Sequence, residues 1–249
     1  MPIVDTHTHL GGSWLFPEHF TEAELLGTMD KWGVDLSLVM PHSHGTPTAE
    51  AAHDEVHGLV QRQPGRFFGI ADVNPMLSDG AYWKEAERCI RSLGFVAIKL
   101  HPLLHPCNPL WPSVTKVFEA ARQLKVPVIV HTGTGSPFSL PALLIPRAKE
   151  FPDVTIVLAH AGNNFYVSEA IVAAQCCDNI LLEPSWCGPH RVKEAVHELG
   201  AERILFGSDV PLNVIVELTK FRNIGLTDAQ IEQCLGGNAM RVYKLARTN

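Results

Sequence analysis

The apolar residues of this chain gather into short runs that repeat. Eight aliphatic or β-branched stretches recur: IVDTHTH from Ile3, VDLSLVMPH from Val34, RFFGIADVNP from Arg66, GFVAIKLHP from Gly94, VPVIVHTG from Val126, VTIVLAHAG from Val154, NILLEPS from Asn179 and RILFGSDVP from Arg203. Their starts lie 24 to 32 residues apart. Each run is almost continuous in apolar residues, the pattern of strands buried on both faces. Between the runs the spacing turns helical. TEAELLGTMDKWG (21–33) opens on Thr21 with Glu24 three residues on, a capping box. AAHDEVHGLVQRQPG ends on a Pro-Gly stop, and AYWKEAERCIRSLG and VTKVFEAARQLK are amphipathic. SEAIVAAQCC and HRVKEAVHELG fill the later gaps, and TDAQIEQCLGGNAMRVYKL reads as one or two closing helices.

Strand and helix alternating eight times predict a parallel sheet wrapped by helices. Eight such units in about 250 residues predict an α/β chain with one (β/α)8 TIM-barrel domain over residues 1–249. The rival is an open doubly wound sheet. It would carry a glycine-rich phosphate loop after the first strand, where this chain has His-Thr-His. No linker, low-complexity tract or solenoid repeat interrupts the rhythm.

Composition narrows the partners. The chain of 249 residues is 46% hydrophobic and 18% charged, with a net charge of -6. It has no basic stripe for nucleic acid and no apolar run near the ~18 residues of a membrane helix. The N-terminus lacks the basic-then-apolar pattern of a secretory signal. Six cysteines without a CxxC pair read as reduced thiols of a cytoplasmic protein. The expected partner is a small-molecule substrate, and a homodimer is common for such barrels.

The chemistry lies where the runs end, because a barrel of this type works at the C-terminal ends of its strands. The first run ends in His7 and His9, which share a strand face with Asp5. The second leads into His42 and His44, the third into Asp72 and Asn74, and the fourth carries Lys99 and His101. The rest end at His131, His160, Glu183 and Asp209. A buried ionisable group is costly unless paired or metal-bound, so eight polar termini at one rim predict a site. His7, His9, His131 and Asp209 offer three imidazoles and a carboxylate. That set suits one divalent metal, zinc first and manganese, iron or nickel also, with room for a water.

The motifs DTHTH, GFVAIKLHP, VIVHTG, VLAHAG, LGAERILFGSDVP and GGNAMRVYKL resemble those of the amidohydrolase superfamily, in particular its metal-dependent hydrolase and decarboxylase branch. The resemblance covers essentially the whole chain in the expected order. It implies that His7, His9, His131 and Asp209 are ligands and that His160 is a catalytic histidine beside Asp209. In two-metal members a carbamylated lysine bridges the ions and the His160 equivalent joins the second. Lys99 and His160 keep that arrangement open here, whereas the branch's decarboxylases lack this lysine.

Lys99 has three readings: carbamate bridge, cation for a substrate carboxylate, or internal partner of Glu183. The second is preferred, because Lys99 is the one Lys or Arg that reads as inside the rim. His101, Asn74, Trp14 and Trp186 are expected to contact substrate. Asp5 is expected either to orient an imidazole or to sit in the core. His42 and His44 are read as solvated loop residues, and His19, His53, His57, His190 and His197 as surface positions on or near helices.

Two reactions fit this ligand set. In the main reading, a metal-activated water cleaves an amide, lactone or ester of a small carboxylate-bearing substrate. Asp209 handles the proton, and His160 and the metal stabilise the oxyanion. The alternative is metal-dependent, non-oxidative decarboxylation of an unsaturated or aromatic acid. Decarboxylases of the branch usually carry longer loops, so the compact chain favours hydrolysis. A third reading, an inactive metal-binding barrel, predicts gaps in the ligand set, and the sequence has none.

Overall fold

The computed structural model describes residues 1–13, 15–42, 50–133 and 137–245. In chain order the elements are β1 (Val4–Gly12), β2 (His19–Phe20), α1 (Glu22–Trp32), β3 (Leu36–Pro41), α2 (Glu50–Arg62), β4 (Phe67–Asp72), α3 (Asp79–Glu87), β5 (Ala97–Leu100) and α4 (Thr115–Leu124). There follow β6 (Val128–His131), α5 (Ile145–Glu150), β7 (Ile156–Ala159), α6 (Asn163–Cys176), β8 (Ile180–Glu183), α7 (Pro189–Leu199), α8 (Val214–Asn223), α9 (Asp228–Glu232) and α10 (Asn238–Val242). The expected capping box forms on α1. Thr21 Oγ1 accepts from Glu24 N, the Glu24 carboxylate accepts from Thr21 N, and Gly33 ends the helix at φ 72°.

The sheet order is β2-β1-β3-β4-β5-β6-β7-β8, parallel throughout except for the β1–β2 hairpin. With helices around it, this curled sheet is a TIM barrel. The eighth expected strand, from Arg203, behaves differently. Among the described residues it makes a single bridge, Ile204 to Leu182. It still closes the barrel: Leu205 N donates to Leu182 O at 2.8 Å, and Phe206 O accepts from Thr6 N at 3.0 Å. Phe206 N goes instead to Cys234 O, in the turn before α10. The backbone groups of a regular ladder are thus partly spent on the closing helices.

Period-two alternation sorts the strands into an outer and an inner face. Ile98 and Leu100, Val128 and Val130, Ile156 and Leu158, and Ile180 and Leu182 pack outward under the helices. Ala97, Ile129, Val157 and Leu181 fill the barrel interior. The same alternation aims Lys99, His131 and Glu183, two residues further on, inward at the top. In β1, Val4 is interior and Leu10 is in the outer layer, although both have even numbers. The face changes at the register shift between Asp5 and Thr8, and this leaves His7 and His9 facing inward.

Candidate active site

At the barrel mouth the strand ends surround a cavity of about 410 Å³. Of the expected site residues, His7, His9, Lys99, His101, His131, His160, Trp186 and Asp209 line it. Trp14 and His44 lie outside the described residues. Asn74 is not among the lining residues; its carboxamide oxygen accepts from Met76 N at 2.9 Å, the turn expected of Asn before Pro.

Glu183 is the hub of the deeper layer. His7 Nδ1 donates to its Oε2 at 2.8 Å, Ser185 Oγ donates to the same oxygen at 3.1 Å, and Ser185 N donates to Oε1 at 2.7 Å. Burial raises the Glu183 carboxyl, against the opposing pull of His160 and the Ser185 bonds. With its hydroxyl proton on Glu183, Ser185 Oγ accepts from His160 Nδ1 at 2.7 Å. His7 and His160 therefore both carry the proton on Nδ1 and turn a bare Nε2 towards the cavity. This carboxylate–histidine pairing is how metal-binding imidazoles are held. Gly207 makes room for the hub, since a Cβ there would stand 2.7 Å from Glu183 Cδ.

Asp209 closes the site from the other side. Asp5 accepts from Ser208 N at 3.0 Å, from Ser208 Oγ at 2.6 Å and from His7 N at 3.2 Å. Asp209 N donates to His7 O at 2.7 Å, and Asp209 takes a left-handed φ of 70°. Asp5 thus splices the closing segment to β1 instead of orienting an imidazole; burial pushes its carboxyl up to about 7. Asp209 Oδ1 lies 3.1 Å from His9 Nε2 and 3.4 Å from His7 Nε2, and Oδ2 accepts from Trp186 Nε1 at 2.8 Å. Burial opposes the Asp209 carboxylate, but the imidazoles of His160, His7 and His9 hold it well below the usual range.

The donor set fits a divalent cation. His7, His160 and Asp209 each bring one donor atom within 4.8 Å of the others. His131 Nε2 is buried without a hydrogen-bond partner among the described residues. Burial keeps His131 neutral and lowers His160 to about 4, so both present lone pairs at neutral pH. Lys99 Nζ sits on the floor, 3.3 Å from His7 Nε2. Burial lowers its pKa, while the carboxylates of Asp72, Asp209 and Glu183 favour its charge. Glu183 acts on it through this field, its own bonds running to His7 and Ser185.

Two expectations need correction. His42 is buried: it lines the cavity and stacks on Phe16 at 6.0 Å and 12°. The β1–β2 hairpin folds over it, which the loop sequence alone does not show. His53 is fully buried on α2, its Nδ1 2.6 Å from Glu85 Oε1. Phe16, Phe20 and Leu103, from the apolar loop sequences that follow the first and fourth runs, form an apolar wall with Val210, whereas the orienting role of Glu183 and Ser185 was missed by sequence reasoning. Phe165 is 80% exposed and edges only an outer recess of the mouth.

A parallel barrel with imidazoles and a carboxylate at its C-terminal rim defines a class of metal-dependent enzymes. The Amidohydrolase family model matches residues 4–245, and the chain belongs to that family. Gamma-resorcylate decarboxylase of Polaromonas sp. (strain JS666 / ATCC BAA-500) is 25% identical over 284 residues, covering 88% of this chain and 86% of that one. The fold matches the crystal structure of 5-carboxyvanillate decarboxylase from Sphingomonas paucimobilis, with a TM-score of 0.80, 16% identity and coverage of 98% and 99%. It also matches dihydroxybenzoic acid decarboxylase from Polaromonas sp. JS666, solved with manganese and the inhibitor 2-nitroresorcinol, with a TM-score of 0.79, 17% identity and coverage of 99% and 98%. These relatives are decarboxylases and side with the alternative of the sequence reading over hydrolysis. The metal in the last of them is manganese, whereas zinc was the first expectation. No helix among the described residues is long and apolar enough to cross a membrane.

Proposed function

We propose that this chain is a metal-dependent, non-oxidative decarboxylase of a hydroxylated aromatic acid. The observation that carries the reading is the cavity itself. A buried lysine and a set of neutral imidazoles lie under a wall of Phe16, Phe20, Leu103 and Val210, so one end of a ligand meets charge and the other meets apolar surface. The decarboxylase relatives support the same choice.

His7, His9, His131 and Asp209 would hold a divalent cation, whose charge supplies Lewis-acid binding of anionic substrate oxygens. Lys99 adds a second positive group on the floor, where a substrate carboxylate or phenolate finds a partner out of water. Phe16, Phe20 and Leu103 offer an aromatic ring an apolar face. The net reaction consumes one proton, and Asp209 carries it. Oδ1 faces His7 and His9, so Oδ2, held by Trp186, is the oxygen that takes up the proton and returns it. As the C–H bond forms at the ring carbon, the C–C bond to the carboxylate breaks. Its electron pair stays with the ring, and CO2 leaves. His160, neutral and fixed by Ser185, donates no proton of its own; its Nε2, grouped with the donor atoms of His7 and Asp209, would face the same ion or a substrate hydroxyl beside it.

The test is CO2 release from 2,6-dihydroxybenzoate and 5-carboxyvanillate by zinc- and manganese-loaded protein, beside a panel of lactones and cyclic amides. Release of CO2 supports the reading. Ring opening of a lactone or amide without CO2 release from any aryl acid overturns it and restores hydrolysis.

A further inference from the structure

Beside the main cavity lies a second recess of about 420 Å³. His131, His160, Asn163, Trp186 and Asp209 line both spaces, so the recess is continuous with the candidate active site. Asn164 and Phe165 complete it from the first turn of α6. A dry cavity of roughly 150 Å³ is enough for a benzene molecule. The main cavity, at about 410 Å³, already has room for the ring that bears the reacting carboxylate. A single-ring acid therefore leaves the recess unused.

The walls of the recess are fixed. Asn164 Oδ1 accepts from Gly188 N at 3.1 Å, which ties the start of α6 to the loop after β8. Trp186 is held at two points: its N donates to Glu217 Oε1 at 2.9 Å, and its indole Nε1 donates to Asp209 Oδ2 at 2.8 Å. Anchored in this way, Trp186 is still 49% exposed, and Phe165 is 80% exposed. Large apolar side chains scattered singly over a surface are ordinary, whereas two aromatics bordering one recess at the rim of a site mark a binding surface.

The lining also selects the occupant. Among the described residues no Lys or Arg lines the recess, and what it adds to the shared rim is one phenyl ring and one carboxamide. Those groups suit a neutral, flat partner and give a second carboxylate no cation. Continuity with the main cavity favours one ligand that spans both spaces. Resting on the decarboxylase reading, we propose that the recess is a second subsite and that the substrate is an aryl acid extended by a neutral aromatic substituent. The acid-bearing ring occupies the main cavity, and the substituent lies against Phe165 and Trp186. Phe165 is then a specificity-determining residue.

The test is binding of 2,6-dihydroxybenzoate and of its 3-phenyl and 4-phenyl derivatives to zinc-loaded protein, by titration calorimetry. At least one phenyl derivative should bind about tenfold tighter than the parent acid, the worth of one good aromatic contact. F165A should remove most of that ratio, and F165Y, which keeps the ring, should preserve it. Equal or weaker binding of both phenyl derivatives, or a ratio unchanged in F165A, overturns the proposal. A dimer lost in F165A with the ratio unchanged, by light scattering, would give this face to a second copy of the chain instead. Binding needs no turnover, so the two readings fail separately. A ratio that holds without CO2 release from any aryl acid removes the decarboxylase reading and leaves the subsite, whereas CO2 release from the parent acid without the ratio removes the subsite alone.

Discussion

Replacing Glu183 with glutamine keeps the shape of the hub and removes its charge. Oε2 accepts from His7 Nδ1 and Ser185 Oγ, and Oε1 accepts from Ser185 N. A carboxamide has one acceptor where the carboxylate has two. If its oxygen stays on Ser185 N, its NH2 meets the His7 Nδ1–H donor head on. His7 escapes by moving its proton to Nε2, which removes the lone pair that faces Asp209. A bond to a charged acceptor is also lost, worth roughly 1.5–3 kcal/mol. Changes to such orienting partners typically cost 10–100-fold in metal affinity, about 1.4–2.7 kcal/mol. Zinc affinity by chelator competition should therefore fall by about that factor in E183Q, while the melting temperature of the metal-free protein falls less than it would for a cavity-forming E183A. Zinc affinity in E183Q within about twofold of wild type would refute the orienting role of Glu183.

Three further outcomes are expected. Gly207→Ala places a Cβ against the Glu183 side chain, so it should lower zinc affinity about tenfold in the same competition assay. Lys99→Met should weaken binding of 2,6-dihydroxybenzoate by roughly 10–100-fold while leaving one equivalent of metal in place; a drop from two equivalents to one, by plasma mass spectrometry, would instead reveal a carbamate-bridged pair. Glu85 is pushed down to about 2 from 4.5 by its bonds to His53 and Arg88, against the opposing effect of burial. Its carboxylate therefore stabilises the fold above about pH 4.5, and this contribution is lost as pH falls towards 2, on the order of 3 kcal/mol in all. Urea unfolding at pH 7 and pH 3 should show a smaller pH dependence in E85Q than in wild type.

The inner faces of β5, β6 and β8 were legible because a period of two needs no long-range information. Once Ala97, Ile129 and Leu181 point inward, Lys99, His131 and Glu183 must follow. His53 was legible in principle and was misread: with Val56 and Leu59 it follows the helical spacing of a buried face. Asn74 before Pro carried a turn signal of its own. The role of Glu183 was not legible, because its partner His7 lies 176 residues away. The burial of His42 likewise depends on Phe16 and Phe20, which reach it only after β2 folds back on β1. The hydrolase preference rested on loop length, and relatives that span most of both chains weigh more.

The rim is where this barrel stores its strain. His160, Ala161, Asn163, Trp186 and Asp209 all have positive φ, between 43° and 70°, although none is glycine. Such residues cost of order 1–3 kcal/mol each and persist only where their surroundings over-determine them. Those surroundings can be named. Thr132 Oγ1 accepts from Gly162 N at 2.9 Å and holds the turn after His160. Glu217 accepts from Trp186 N at 2.9 Å and is itself paired with Lys220, whose Nζ reaches Cys187 O at 2.7 Å. Asp5 fixes Ser208, and with it Asp209. Glycine at these positions would relieve the backbone but leave His160, Trp186 and Asp209 without a fixed direction. A cluster of donors that must converge within a few ångströms cannot tolerate that freedom. The buried Thr132, Glu217 and Asp5, none of them lining the cavity, therefore belong to the site as much as the imidazoles they aim.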